Sequence, residues 1–274
     1  MLVTLQGLYK PYGVAAKNGF LLGVTTEATA HNVDWKSWVT FEFLDGRSDN
    51  ARTLHLTKNA IAQGAKAILG METSGVTLHI RDYILDEAQV PFMIVSGATA
   101  SATRRQHPLF IRITNDVRNY VLPLASWLKQ HPVVLVDRPR WACIYTDYRY
   151  GVSVCDNFKR AYQDVGEEIG RVPVPFKTVS KKKEIVQLAK LKPDFAVAAF
   201  VGDEAVLFLQ DFYRFKVHQR FPLVMPGQVF SSQLLPKLEA TLAQYGTAVG
   251  VLNALPYTPT LENDANQRFV ALYQ

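Results

Sequence analysis

Short apolar runs alternate with helical patterns from one end of the chain to the other, and that rhythm points to repeated βα units building parallel sheets. The runs predict strands at Trp38–Phe43, Ala67–Leu69, Phe92–Val95, Leu109–Ile113, Trp141–Tyr145, Phe195–Phe200, Leu223–Met225 and Val249–Leu252. Between them the clearest helix covers Gly151–Val165, where Val152, Cys155, Phe158, Tyr162 and Val165 recur at spacings of three or four. A second covers Asp116–Lys129, with Val117, Tyr120, Val121, Leu124 and Leu128 inward and Asn115 or Asp116 placed to cap the first turn. The two halves are alike in kind, each reading strand, helix, strand, helix. The 274 residues suffice for one large domain or two small ones.

In a parallel sheet the loops at the carboxyl ends of the strands form one rim, where helix amino termini present unpaired N–H groups to ligands. The post-strand segments are "GMETSG", "SGATAS", "TDYRYG" and "VGDE". Three of them set Ser, Thr or Tyr hydroxyls beside glycine, without a strong base or a thiol. Such a rim suits holding a ligand better than transforming it.

The sequence carries none of the motifs that would argue for catalysis or a cofactor. No G-x-G-x-x-G follows a strand, and no Walker loop, H-E-x-x-H or C-x-x-C occurs. The six histidines are scattered, with no metal-ligand spacing, so neither a metal nor a cofactor is expected. "GVSVC", Gly151–Cys155, is one glycine short of a nucleophile elbow and places Ser153 inside a predicted helix. The net charge of +6 is spread along the chain. Its densest run, Lys181–Lys183, reads as a solvated helix start rather than a phosphate patch, so nucleic acid is not an expected partner. Cys143 falls in a predicted strand and Cys155 in the helix after it, which reads as two buried apolar side chains with a disulfide left open. The start "MLVTLQGLYKPYG" lacks a signal-peptide pattern, and no stretch approaches the roughly 18 apolar residues of a membrane span, so direct membrane insertion is not expected.

The phrases "LYKPYGVAAKNGF", "DGRSDNARTLHLTKNAI", "AILGMETSG", "VPFMIVSGATASAT", "LFIRIT", "CIYTDYRYG", "KPDFAVAAFVGDEA" and "TPTLENDANQRFVALY", in this order and spacing, resemble the type I periplasmic solute-binding proteins of ABC transporters, the branch related to leucine/isoleucine/valine-binding proteins. The resemblance implies an α/β fold of two doubly wound parallel-sheet lobes joined by crossover strands, lobe 1 from residues 1–114 and 253–274 and lobe 2 from residues 115–252. It implies a non-enzymatic protein that captures a small carboxylate-bearing ligand, an amino acid or an aromatic acid, in a cleft closed by hinge motion. Permease subunits of the transporter are the implied protein partners, and the periplasm the implied location.

Carried across by position, Ser74 donates its hydroxyl and a neighbouring N–H to the ligand carboxylate. Thr99 adds a hydroxyl, beside Ala98, and the Gly97 carbonyl faces an ammonium group. Tyr12 from lobe 1 and Tyr150 from lobe 2 supply aromatic contacts, and Gly202 and Asp203 form a second lobe-2 loop in which Asp203 would pair with an ammonium. Read without the resemblance, Ser74 and Thr99 are ordinary helix caps, and Tyr150 is a packing residue. Against the family pattern the first strand reads as only its carboxyl-terminal end, the closing helices are missing after "FVALYQ", and "HPVVLVDRPR" is a longer link than usual. Two other functions share the same fold expectations: an intracellular ligand sensor acting on a partner protein, and an α/β enzyme of the sugar or nucleotide class.

Overall fold

The computed structural model describes residues 1–227, 234–243 and 251–273. The chain divides into two compact units, unit 1 from Met1–Asn115 with Pro259–Gln274 and unit 2 from Asp116–Thr258. In both, parallel strands alternate with helices, so the α/β, parallel-sheet expectation is met.

Unit 1 runs β1 (Leu2–Val3), α1 (Lys10–Ala30), β2 (Leu44–Asp45), α2 (Asn50–Ala62), β3 (Ile68–Leu69), α3 (Ser74–Asp82), β4 (Phe92–Ile94) and β5 (Phe110–Arg112). Its strands are short. β1 pairs with β2, and β3, β4 and β5 form a separate three-stranded sheet in that order. Leu2, Ile68, Met71, Val76, Ile80, Ile84 and Phe92 make the core between these strands and α3. The predicted strand at Trp38–Phe43 is not one: Trp35–Ser37 form a 3-10 turn, and only Leu44–Asp45 pairs with β1. The aromatic spacing there serves packing instead, with Phe41 edge-on to Phe20 of α1 at 4.8 Å and 5.1 Å from Trp35.

Unit 2 runs α4 (Arg118–Gln130), β6 (Arg140–Thr146), α5 (Arg149–Tyr162), β7 (Glu167–Val174), α6 (Lys182–Lys190), β8 (Phe195–Ala199), α7 (Asp203–Arg214), β9 (Leu223–Pro226), α8 (Leu235–Leu242) and β10 (Val251–Ala254). Its sheet has the order β10-β9-β8-β6-β7, every pair parallel. β7 escaped the sequence reading because it is an edge strand. Gly170 and Pro173 interrupt its apolar pattern, and an edge tolerates both where a central strand would not. Of the strand predicted at Val249–Leu252, Val249 and Gly250 lie outside the described residues; Asn253 and Ala254 pair with Met225 and Pro226, which carries unit 2 past residue 252.

Of two buried features in unit 2, the first closes a question the sequence leaves open and the second corrects the sequence reading. Cys143 of β6 and Cys155 of α5 are joined in a disulfide, and both are fully buried. Lys181, read as the start of a solvated run, is 0% exposed. Its Nζ donates to the Thr178 carbonyl at 2.8 Å and stands 2.8 Å from Glu204 Oε2, while its backbone N–H donates to Asp211 Oδ2 at 2.7 Å. The four-carbon stem takes the charge inward past Lys182 and Lys183, because a carboxylate waits on the first turn of α7.

Candidate functional site

Unit 1 brings Ser74, Gly97, Ala98 and Thr99 together. Ser74 opens α3 directly after β3, and residues 97–99 lie in the loop after β4, the strand that pairs with β3. The backbone N–H of Thr99 donates to Ser74 Oγ at 3.1 Å, and both residues are buried. The Ser74 oxygen is thereby an acceptor inside the protein, and its proton remains for another acceptor. Ser74 is not the helix cap. That position belongs to Thr73, whose side chain makes no capping bond.

Thr73 is the residue the sequence reading missed. It is 92% buried, and its Oγ1 has no hydrogen-bond partner among the described residues. A buried hydroxyl without a partner costs about 1–3 kcal/mol, so it marks a place where an external group is wanted. The N–H groups of the first turn of α3 carry no side-chain cap either, whereas α2, which also follows a rim strand, is capped by Asp49 accepting from the Arg52 N–H at 2.7 Å. An uncapped first turn, an unpartnered threonine and a serine proton form an anion-accepting constellation with no net positive charge of its own. Thr99, by contrast, does act as a cap: its Oγ1 accepts from the Ser101 N–H at 3.4 Å and lies 2.9 Å from Ser101 Oγ.

Gly97 has a partner within the protein. Its carbonyl, assigned to an ammonium group, accepts from Arg112 Nη1 at 2.6 Å, and Nη2 of the same guanidinium donates to the Thr99 carbonyl at 2.9 Å. The missing side chain serves packing: a Cβ there would stand 2.7 Å from Thr77 Oγ1 and 3.3 Å from the Met71 carbonyl. Glycine lets the loop lie against α3. Tyr12 sits half-buried in the first turn of α1, its ring 6.1 Å from that of Tyr9.

Glu72, one residue before Thr73, is a buried carboxylate that accepts from the Thr4 N–H at 3.2 Å and the Thr4 hydroxyl at 2.9 Å. Burial pushes its pKa up, against the pull of these hydrogen bonds. It fastens the segment after β1 to the loop that leads into α3.

In unit 2, Tyr150 is buried in the first turn of α5, where its Oη donates to the Pro226 carbonyl at 3.4 Å and its ring stacks on Tyr148 at 5.9 Å. Gly202 precedes α7 with φ 57° and ψ −143°, a conformation open essentially to glycine alone. Asp203, expected to meet an ammonium, already has a cation: Lys237 Nζ of α8 lies 2.6 Å from its Oδ1. Ser153 lies within α5, its carbonyl accepting from the Asn157 amide at 2.7 Å. Among the described residues no three His, Cys, Asp or Glu side chains are placed to hold a metal, and no helix is long and apolar enough to cross a membrane.

A family model described as periplasmic binding protein matches residues 1–274. No curated protein matches the chain. Among solved structures, a solute-binding protein of an ABC transporter from R. palustris, in complex with 4-hydroxybenzoate, superposes with a TM-score of 0.83 at 21% identity, over 100% of this chain and 71% of that one. An ABC transporter substrate-binding protein from Sphaerobacter thermophilus gives 0.80 at 20% identity, over 99% and 72%. The leucine-binding protein LivK from Thermotoga maritima gives 0.77 at 18% identity, over 99% and 73%.

Proposed function

The chain belongs to the periplasmic binding protein family, and we propose that it captures a small carboxylate without an α-ammonium group, of the benzoate type, for an ABC importer. That it is a solute-binding protein of an ABC transporter follows from the family, whose members work with transporter permeases, are typically periplasmic and are not enzymes. The ligand class is the proposed part.

The observation that carries it is the constellation at the start of α3: the Ser74 hydroxyl proton, the unpartnered Thr73 Oγ1 and the uncapped first turn. Neutral donors of this kind hold a carboxylate reversibly, each charge-assisted bond contributing about 1.5–3 kcal/mol. The Gly97 carbonyl, the unit 1 acceptor expected for an ammonium group, already receives the Arg112 guanidinium, which favours a ligand without one. The relative crystallised with 4-hydroxybenzoate agrees with this choice, and the leucine-binding relative keeps the amino acid as the alternative.

Thermal-shift screening with benzoate, 4-hydroxybenzoate and a set of branched-chain and aromatic amino acids tests the proposal, because a ligand that binds only the folded protein raises its melting temperature by mass action. The expected result is a rise with the benzoates and none with the amino acids. A rise with leucine or isoleucine alone would contradict it.

A further inference from the structure

We infer that Arg112, on β5, is the positioning residue that shapes the loop after β4 for a carboxylate, an inference that rests on the proposed function and extends it to a residue with no assigned role. Three successive peptide units of that loop are each pinned by a side chain. Arg112 Nη1 holds the Gly97 carbonyl at 2.6 Å, Ser74 Oγ holds the Thr99 N–H at 3.1 Å, and Arg112 Nη2 holds the Thr99 carbonyl at 2.9 Å. A trans peptide sets its C=O and N–H antiparallel. Turning the Gly97 carbonyl onto the guanidinium therefore turns the N–H of Ala98 to the opposite side.

The planar fork matters here as much as the charge. Its two Nη atoms engage carbonyls two residues apart at once, which a single ammonium cannot do in a fixed geometry. Arg112 comes from a neighbouring strand, β5 being paired with β4 along Phe92–Ile94, so the sheet holds the loop in addition to its own turn, in which the Thr99 carbonyl accepts from the Ala102 N–H at 3.3 Å. The small side chains of "SGATAS" then have a mechanical meaning: the loop ahead of its 3-10 turn has few side-chain bonds of its own, and a guanidinium distant in sequence fixes the Gly97 carbonyl.

The test compares wild type with Arg112→Lys and Arg112→Met by calorimetric titration with benzoate and by hydrogen–deuterium exchange of the segment 95–103 in the ligand-free protein. Both variants are expected to bind benzoate about ten- to a hundredfold more weakly, the loss expected when a pair of charge-assisted bonds no longer fixes the site. Exchange of the Thr99 amide and its neighbours should quicken about tenfold in both, while peptides from β6 and β8 keep wild-type protection. Wild-type affinity in the lysine variant would show that charge suffices and overturn the positioning role, as would unchanged exchange in the segment. If wild type itself fails to bind benzoate, the ligand proposal falls, and the exchange measurement still decides the role of Arg112.

Discussion

The two units set their rims on different foundations. In unit 2 the rim loops rise from a five-stranded sheet over a continuous apolar core in which Phe200 stacks on Phe208 at 4.4 Å and Phe212 packs tilted against Phe208 at 5.6 Å. The disulfide from β6 to α5 encloses the segment that carries Tyr148 and Tyr150, and the Lys181–Glu204 pair ties the approach to α6 to the start of α7. In unit 1 the strands are two or three residues long and fall into two small sheets. There the rim is fixed by polar bonds from side chain to backbone: Glu72 to Thr4, Ser74 to Thr99, Arg112 to Gly97 and Thr99. The difference teaches where binding and stability can be separated. A change at the unit 1 rim removes one or two hydrogen bonds and leaves the core intact, whereas a change under the unit 2 rim leaves buried charge or a cavity.

The largest expected effect breaks the unit 2 foundation. Lys181→Met strands the buried Glu204 carboxylate and should destabilise the protein by about 3–5 kcal/mol in urea unfolding, while Lys181→Met with Glu204→Leu, which replaces the pair by apolar groups, should recover most of that loss. Equal destabilisation by single and double variants would show that the pair is not the foundation described. A smaller effect sharpens the unit 1 side. The folded-state pKa of Glu72 lies above its unfolded value because burial penalises the charged form. The folded state therefore holds the proton longer, and the group subtracts stability as pH rises from the unfolded pKa through the raised one. Glu72→Gln should raise the melting temperature by a few degrees at pH 8 and by less at pH 4, read by calorimetry across that range. A drop at pH 8 would mean that the two bonds from Thr4 outweigh the burial cost.

Much of this was legible in the residues. Alternating apolar runs and helical patterns predicted the parallel α/β sheets, and the strands at Phe92, Trp141, Phe195 and Leu223 stand close to where they were expected. The proximity of Ser74 to Thr99 was legible because both follow strands, and parallel neighbours bring their carboxyl ends to one rim. What stayed hidden depends on distant partners. Arg112 in "LFIRIT" reads as one polar residue in an apolar strand, and nothing local says that its guanidinium reaches 13 and 15 residues back. Lys181 reads as solvated because its acceptor, Glu204, is separated from it by α6, β8 and the loops between them. Thr73 is hard to single out because a threonine before a helix ordinarily bonds the first turn, whereas this one holds the cap position without making that bond.

The central claim is that neutral donors at the start of α3 receive a carboxylate. Calorimetric titration of benzoate against benzamide, on wild type and Ser74→Ala, tests it most directly, since the two ligands differ in charge and hardly in shape. Wild type should bind benzoate and discriminate strongly against the amide, and Ser74→Ala should lose about ten- to a hundredfold in benzoate affinity while the protein stays folded, its melting temperature lowered by a few degrees because the buried Thr99 N–H loses its acceptor. Equal affinity for acid and amide, or full benzoate affinity without the Ser74 hydroxyl, would contradict the account.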